Sequence, residues 1–341
     1  MTVAPARWTV EERTRPSPGR LAADLRAGLA SRPVTIPPKW FYDEKGSALF
    51  DAITHLPEYY PTRTEEAILR AHADELPQVQ ALVELGAGYS RKTRLLLEAL
   101  TRGDRPLLFV PLDVAVEPLR DAAERITADF PTVTVHGVVA DFDEELTPLP
   151  GTPGERLVAF LGSTIGNLTP GPRAAFLARL HRATAPGDWF LLGADLVKDT
   201  DRLVRAYDDA AGLTAEFNKN VLHVLARELD ADLDADDFDH VAVYDTEHDR
   251  IEMRLRARRA LSVPVRALGL VWELAEGEEV LTETSAKFRL EGLRQELAEA
   301  GFDVVETWTD TARDFSLTLA RRRHQQRADG YVASHESQGE P

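Results

Sequence analysis

Gly86 and Gly88 follow the apolar run Leu82-Val83-Glu84-Leu85 and precede a helix start at Arg91-Lys92-Thr93. Glycine has no Cβ, so this pair lets the backbone turn sharply and come close to a bound molecule. Arg91 replaces the third glycine of a G-x-G-x-x-G fingerprint. That glycine lets the helix pack close beneath a pyrophosphate, so its loss disfavours a dinucleotide and favours an adenosine ligand without phosphates, such as S-adenosylmethionine (SAM). Two carboxylates extend this reading. Asp113 ends the apolar run 106–113 and can accept from both ribose hydroxyls, while Asp141 ends the run 133–142, where it can take the adenine amino group with Phe142 packed on the ring. Singly, such an acid also reads as a helix cap and such a phenylalanine as core. Three ligand-like strand ends in chain order, at the carboxyl edge of one sheet, favour binding.

Three further segments carry chemistry. Residues 37–65 crowd aromatic side chains, Tyr42 and Tyr59 among them. Tyrosine hydroxyls donate and accept, which suits a carboxylate or an amine, although a helix packed on the sheet would use the same residues. In 160–170, Ser163 directly follows Gly162, which does not fit the G-x-S-x-G elbow of a hydrolase. Asn167 in the same loop offers one acceptor and two donors, enough to grip an amino acid's ammonium and carboxylate, or to form an Asx turn before the next helix. Glu283 and Ser285 are two apart and share a face if their segment is extended. A carboxylate beside a hydroxyl can bind both nitrogens of an imidazole; an ordinary edge strand with polar residues outward has the same spacing. None of the 9 histidines forms H-E-x-x-H or clusters with carboxylates at metal-site spacing, so no metal is expected.

These groups need a sheet to position them. Apolar runs at 82–85, 107–112, 133–139, 157–161 and 189–193 alternate with amphipathic patterns such as 117–130 and 170–183, which predicts a doubly wound α/β sheet. Thr169 as N-cap and Pro170 begin the second of these helices, leaving 162–169 as a loop that faces the ligand crevice. After 196 the alternation stops. Helical stretches at 199–213 and 216–229, an acidic turn at 230–239 and strands at 241–246 and 250–260 suggest an α+β unit. In the last of these strands Ile251, Met253, Leu255 and Ala257 share one face, and Glu252, Arg254, Arg256 and Arg258 the other, which reads as a solvated, cross-strand-paired stripe. A helix at 289–300, stopped by Gly301, and strands at 304–309 and 315–320 return to the first style and complete its sheet. The expected organisation is an N-terminal helical segment (1–60) contributing to the substrate unit, a SAM-binding Rossmann-like domain (61–195), a substrate-binding α+β unit (196–286), completion of the first sheet (287–321) and a disordered tail (322–341).

With 341 residues, 43% of them apolar, the chain can bury a full core. A net charge of -17 sets a repelling field against nucleic acid and anionic membrane, so neither is expected as a partner. The absence of cysteine excludes disulfides, thiolate zinc sites and cysteine nucleophiles. No secretory h-region or apolar run of spanning length is visible, so a cytoplasmic enzyme is expected; a monomer is the default, since no heptad or symmetric interface can be read.

The segments PPKWFYDEKGSALFD, LPEYYPTRTE, ELGAGYSRKT, FLGSTIGNLTP, DLVKDTDRLVRAYDDAAGLTAEFN and LTETSAKF, in this order between about Pro37 and Arg321, together resemble the histidine-specific SAM-dependent methyltransferase family. The resemblance implies a class I methyltransferase fold and conversion of L-histidine, through mono- and dimethyl forms, to its Nα-trimethyl betaine hercynine in ergothioneine biosynthesis. It implies that Tyr42, Gly86, Lys92, Asp113, Asp141 and Phe142 bind SAM. Tyr59, Gly162, Asn167 and Tyr207 would hold the amino and carboxylate groups of the substrate, with Tyr59 and Asn167 orienting the amine for reaction. Met253, Glu283 and Ser285 would line the imidazole pocket. Tyr89 stands where relatives often have a smaller residue and Ala286 where cysteine is common; neither is a proposed contact. In-line methyl transfer needs a lone-pair nitrogen about 3–3.5 Å from the methyl carbon and neither a metal nor a covalent intermediate. A trimethylated nitrogen has no lone pair, so the reaction stops at three, and aromatic faces suit the growing cation. Two other readings use the same residues: an N-methyltransferase of a tryptophan derivative or other amino acid, and a non-catalytic SAM or amino-acid binding protein. An indole has one donor and no acceptor, which suits the Glu283–Ser285 pair poorly, and no motif is damaged in the way a binding-only protein would show.

Overall fold

The structure, a computed structural model, describes residues 7–13, 17–87, 91–114, 116–141, 146 and 148–323. The N-terminal segment holds β1 (Trp8–Glu12), α1 (Pro18–Ala30), β2 (Val34–Thr35), a 3-10 turn at Pro38–Phe41 and α2 (Glu44–Thr54). An alternating run follows: α3 (Tyr60–His72), β3 (Ala81–Leu85), α4 (Arg91–Leu100), β4 (Leu107–Asp113), α5 (Val116–Asp129), β5 (Val133–Val139), β6 (Arg156–Phe160), α6 (Pro170–Ala183) and β7 (Trp189–Asp195). Then come α7 (Thr200–Arg205), α8 (Leu213–Leu229), β8 (Phe238–Asp245), β9 (Arg250–Ala257), β10 (Leu261–Val265), β11 (Leu270–Leu274), β12 (Glu279–Ala286), α9 (Leu290–Glu299), β13 (Phe302–Thr309) and β14 (Phe315–Arg322).

Eight strands form one sheet in the order β1-β5-β4-β3-β6-β7-β14-β13. Pairing is parallel from β1 to β7 and antiparallel at β7–β14 and β14–β13. From β3 the chain steps outward through β4 and β5 on one side, then through β6 and β7 on the other, so a crevice opens at the carboxyl ends of β3 and β6. The central strands β3, β4, β6 and β7 are largely apolar because both faces are covered: α6 and α9 pack on one face through Phe176, Leu180, Leu293 and Leu297, and α3, α4 and α5 on the other through Leu69, Leu97 and Ile126.

A smaller sheet, β2-β12-β9-β8, and the β10–β11 hairpin share a separate core with α1, α2 and α8. The alternation in β9 is as expected, with Ile251, Met253, Leu255 and Ala257 buried. On its other face Arg254 and Arg256 pair with Glu279, and Arg258 with Asp239.

Four details differ from the expectation. Residues 1–60 are not wholly helical: Trp8–Glu12 pairs along β5 and covers what would be an open sheet edge. The helix expected at 199–213 ends at Arg205, and a separate helix starts at Leu213 after Gly212 turns left-handed at φ +77°, with Asp209 capping it through Leu213 N and Thr214 N at 3.0 and 2.7 Å. The last part of the acidic stretch belongs to β8, which begins at Phe238. Arg322 continues β14, its N donating to Asp188 O and its Nε to His181 O, both at 2.9 Å; residues 324–341 lie outside the described set.

The turn at Pro38–Phe41 is fixed by close backbone contact with α2. Asp43 caps α2 through Gly46 N at 2.9 Å, and Asn220 of α8 donates to both Phe41 O and Asp43 Oδ1, at 3.0 and 2.8 Å. A Cβ on Gly46 would lie 1.8 Å from Phe41 O. Gly46→Ala is therefore expected to cost about 1–3 kcal/mol of stability in urea unfolding; an unchanged transition would contradict this packing.

Candidate active site

At the crevice, Gly86 ends β3 at φ +66°, and the N–H groups of Gly86 and Ala87 donate to Leu112 O at 2.9 and 3.2 Å, tying the turn to β4. Lys92, in the first turn of α4, donates to Glu65 Oε2 at 2.6 Å. Glu65 comes from α3, is fully buried, and also accepts from Gly162 N at 2.9 Å. Gly193 in β7 makes room for it, since a Cβ there would fall 1.9 Å from Glu65 Oε1. The N–H of Gly162 is thus already engaged, and what this residue offers a ligand is space. Gly162 and Ser163 are both left-handed, at φ +77° and +58°, and the Ser163 hydroxyl accepts from Asp195 N at 2.9 Å. That hydroxyl holds the loop rather than acting as a nucleophile.

Asp113 closes β4 and Asp141 follows β5. Asp141 Oδ2 accepts from Lys39 at 3.1 Å, and Lys39 also meets Asp24 at 3.1 Å, so the adenine-side acid is joined to the N-terminal segment. Phe142 and Gly88 lie outside the described residues. The donor set fits an adenosine ligand: carboxylates end two adjacent strands beside a glycine turn, and a Cβ on Gly162 would come 3.4 Å from Lys92 Nζ. Lys92 and Lys39 are both ion-paired, so a pyrophosphate would meet no unneutralised ammonium at either.

Facing this crevice, β12 carries the second half of the site. Leu281 pairs with Arg254 and Glu283 with Met253, which makes Thr282 an inserted residue, or bulge. Before the bulge Val280 faces the core; after it Glu283, Ser285 and Lys287 continue on that face. Thr282 Oγ1 secures the bulge by donating to Asn218 Oδ1 and Met253 O, at 2.6 and 2.9 Å. Asn167 is assigned with its amide nitrogen toward Glu283 Oε1 at 3.3 Å and Thr284 O at 3.2 Å. Ser285 Oγ lies 2.8 Å from Tyr207 Oη, and Lys287 Nζ is 2.9 Å from both. Aromatic rings form an adjoining wall: Tyr42 meets Phe50 and Phe217 with centroids 5.7 and 5.4 Å apart, Phe50 meets Tyr59 at 6.1 Å, and Tyr59 meets Tyr207 at 6.3 Å. The structure thus brings Tyr42, Tyr59, Asn167, Tyr207, Met253, Glu283 and Ser285 together as one polar and aromatic cluster.

Burial raises the phenols of Tyr42, Tyr59 and Tyr207 well above their ordinary range, and Glu283 adds to each shift. They stay protonated and serve as hydroxyls, not bases. Burial likewise pushes the Glu283 carboxyl up to about 7, against the Lys287 charge and the Asn167 amide. Among the described residues no group of three or more His, Cys, Asp or Glu could hold a metal ion, and no helix is long and apolar enough to cross a membrane.

Glu65, Lys39 and Lys287 escaped the sequence reading. Two left a signal. Glu65 lies on the buried stripe of α3 with Tyr60, Pro61, Ile68 and Leu69, where a carboxylate demands a partner; Lys287 continues the two-residue alternation of Glu283 and Ser285.

The sheet order, its crevice and the facing polar pocket define a class I SAM-dependent methyltransferase. Residues 21–322 match the family described as "Histidine-specific methyltransferase, SAM-dependent", and the chain belongs to that family. It is 55% identical over 305 residues to a histidine N-alpha-methyltransferase of Mycolicibacterium smegmatis, covering 89% of this chain and 95% of that protein. It is 52% identical to the protein of that name in Mycobacterium tuberculosis, with the same coverage. It is also 32% identical over 292 residues to ergothioneine biosynthesis protein 1 of Neurospora crassa, across 81% of this chain and 32% of that longer protein.

Replacing Glu65 by leucine would leave the Lys92 ammonium and the Gly162 N–H unpaired in a largely buried place. Glu65→Leu is expected to lower stability by about 3 kcal/mol in urea unfolding; a loss under about 1 kcal/mol would mean that the pair is not what holds the loop.

Proposed function

We propose that this protein methylates the α-amine of L-histidine three times with SAM, giving hercynine for ergothioneine biosynthesis, as a cytoplasmic monomer without nucleic-acid or membrane partners. When bound, SAM supplies a methyl group on a sulfonium. Residues 61–195 with 287–321 form the SAM-binding half, and residues 17–60 with 196–286 the amino-acid half. Tyr42, Gly86, Lys92, Asp113 and Asp141, with Phe142, hold the donor.

The observation that carries this reading is the paired polar wall of β12, with Glu283 beside Asn167 and Ser285 beside Tyr207. An imidazole fits between a carboxylate and a hydroxyl, with Met253 packed beneath it. Tyr207 and Tyr59, both neutral hydroxyls, serve the substrate carboxylate and amine. With its amide nitrogen turned to Glu283, Asn167 presents Oδ1 to the amine and directs the lone pair. None of the three phenols is available as a base, so the amine proton leaves to water or another neighbouring group. The aromatic wall suits the quaternary cation of the product. The names of the mycobacterial and fungal relatives support the same substrate and pathway.

Mass spectrometry of products formed from SAM with histidine, its mono- and dimethyl forms, or tryptophan tests this directly. The histidine series alone should gain methyl groups and end at the trimethyl species; methylated tryptophan would overturn the pocket assignment. Glu283→Ala should raise KM for histidine about ten- to hundredfold, the cost of one hydrogen bond to a charged group, and leave SAM affinity unchanged.

A further inference from the structure

Lys287 is fully buried, and its three N–H bonds have three acceptors: Tyr207 Oη, Ser285 Oγ and Asp195 Oδ2, each at 2.9 Å. Asp195 also accepts from Tyr60 at 2.9 and 2.8 Å and from Lys198. Burial would raise the Asp195 carboxyl, but Lys287 and Lys198 hold it below its ordinary range, so it anchors Lys287 as an ammonium.

An ammonium only donates. Both hydroxyl oxygens therefore accept from Lys287, and because they are 2.8 Å apart, one hydroxyl donates to the other. Of two hydroxyl hydrogens, one is left for a ligand, with one lone pair on the other oxygen. A substrate carboxylate only accepts, so Tyr207 must be the outward donor. Ser285 then donates to Tyr207 and accepts from a ring N–H, which leaves the far ring nitrogen facing Glu283.

We propose that Lys287 is a positioning residue that fixes the hydrogen-bond direction of the Tyr207–Ser285 pair, so that the pocket takes an imidazole N–H at Ser285 and holds one further proton between the ring and Glu283. The proposal rests on reading this pocket as the histidine site. Glu283 is faced by Asn167 from the loop after β6, Lys287 from the end of β12, and Tyr42, Tyr59 and Tyr207, whose phenols all sense its charge. None of these can supply that proton without breaking the pattern. With the Glu283 carboxyl at about 7 and an imidazole ordinarily near 6.5, the two are matched for sharing it. Above that range the free carboxylate and free ring lack the proton, so binding must take one up from solvent.

Calorimetry in buffers of different ionisation enthalpy, at a pH of about 8.5, reads this with imidazolepropionate, which has the ring and carboxylate but no amine to titrate. The wild-type protein should take up about one proton per ligand bound; no uptake, or release, overturns the proposal. Lys287→Met should bind SAM within about twofold of wild type, raise KM for histidine at least about tenfold with kcat within about threefold, and lose the uptake. An unchanged histidine KM overturns it. Ser285→Ala removes the acceptor and leaves Lys287 in place, so it too should abolish the uptake, and retained uptake overturns the assignment even if Lys287→Met does not fold. A wild-type protein that binds SAM but neither imidazolepropionate nor histidine overturns the pocket reading and this proposal with it.

Discussion

The buried carboxylate of Asp195 is the interaction on which the two halves of the molecule depend. It ends β7, at the carboxyl edge of the large sheet, with no exposure to water. Desolvating a lone carboxylate costs several kcal/mol, so the fold must bring charge and hydrogen bonds to it. They come from two distant parts of the chain, Tyr60 at the start of α3 and Lys287 just after β12, and from Lys198 three residues on. Meeting that one electrostatic demand ties the end of β12 in the small sheet to β7 in the large one. The backbone agrees, for Phe288 N donates to Asp195 O and Asp195 N to Ser163 Oγ.

Asp195 and Glu283 show how one pocket holds two acids in opposite conditions. Asp195 touches two ammoniums and stays below the usual carboxylate range. Glu283 has an amide as its nearest partner and feels Lys287 without an ion pair to it, so burial prevails and its carboxyl rises to about 7. The first acid is structural because its charge is fixed. The second is suited to a ligand because its charge can change.

Much of this was legible in the sequence for physical reasons. A parallel strand buried on both faces must be a continuous apolar run, and all five such runs from Ala81 to Asp195 stood out as strands. Glycine turns and acids at strand ends are likewise local features. Glu283 and Ser285 could be paired because strand periodicity is two. What stayed hidden was non-local. The β1 pairing depends on an open edge more than a hundred residues away. The partners of Glu65 and Lys39 depend on which helices and loops meet at the crevice. Helix boundaries near Gly212 turned on a single cap from Asp209. Lys287 stood in plain view, yet a lysine after a strand reads as solvated until the acid waiting for it is known.

The bulge at Thr282 gives β12 two independent registers of side chains. Upstream, Val280 answers to the hydrophobic core; downstream, Glu283 and Ser285 answer to whatever occupies the pocket. In an unbroken alternation Val280 and Glu283, three positions apart, would fall on opposite faces, and the bulge at Thr282 brings them onto one. A single inserted position thus lets one short strand serve the apolar core before it and the polar cluster after it.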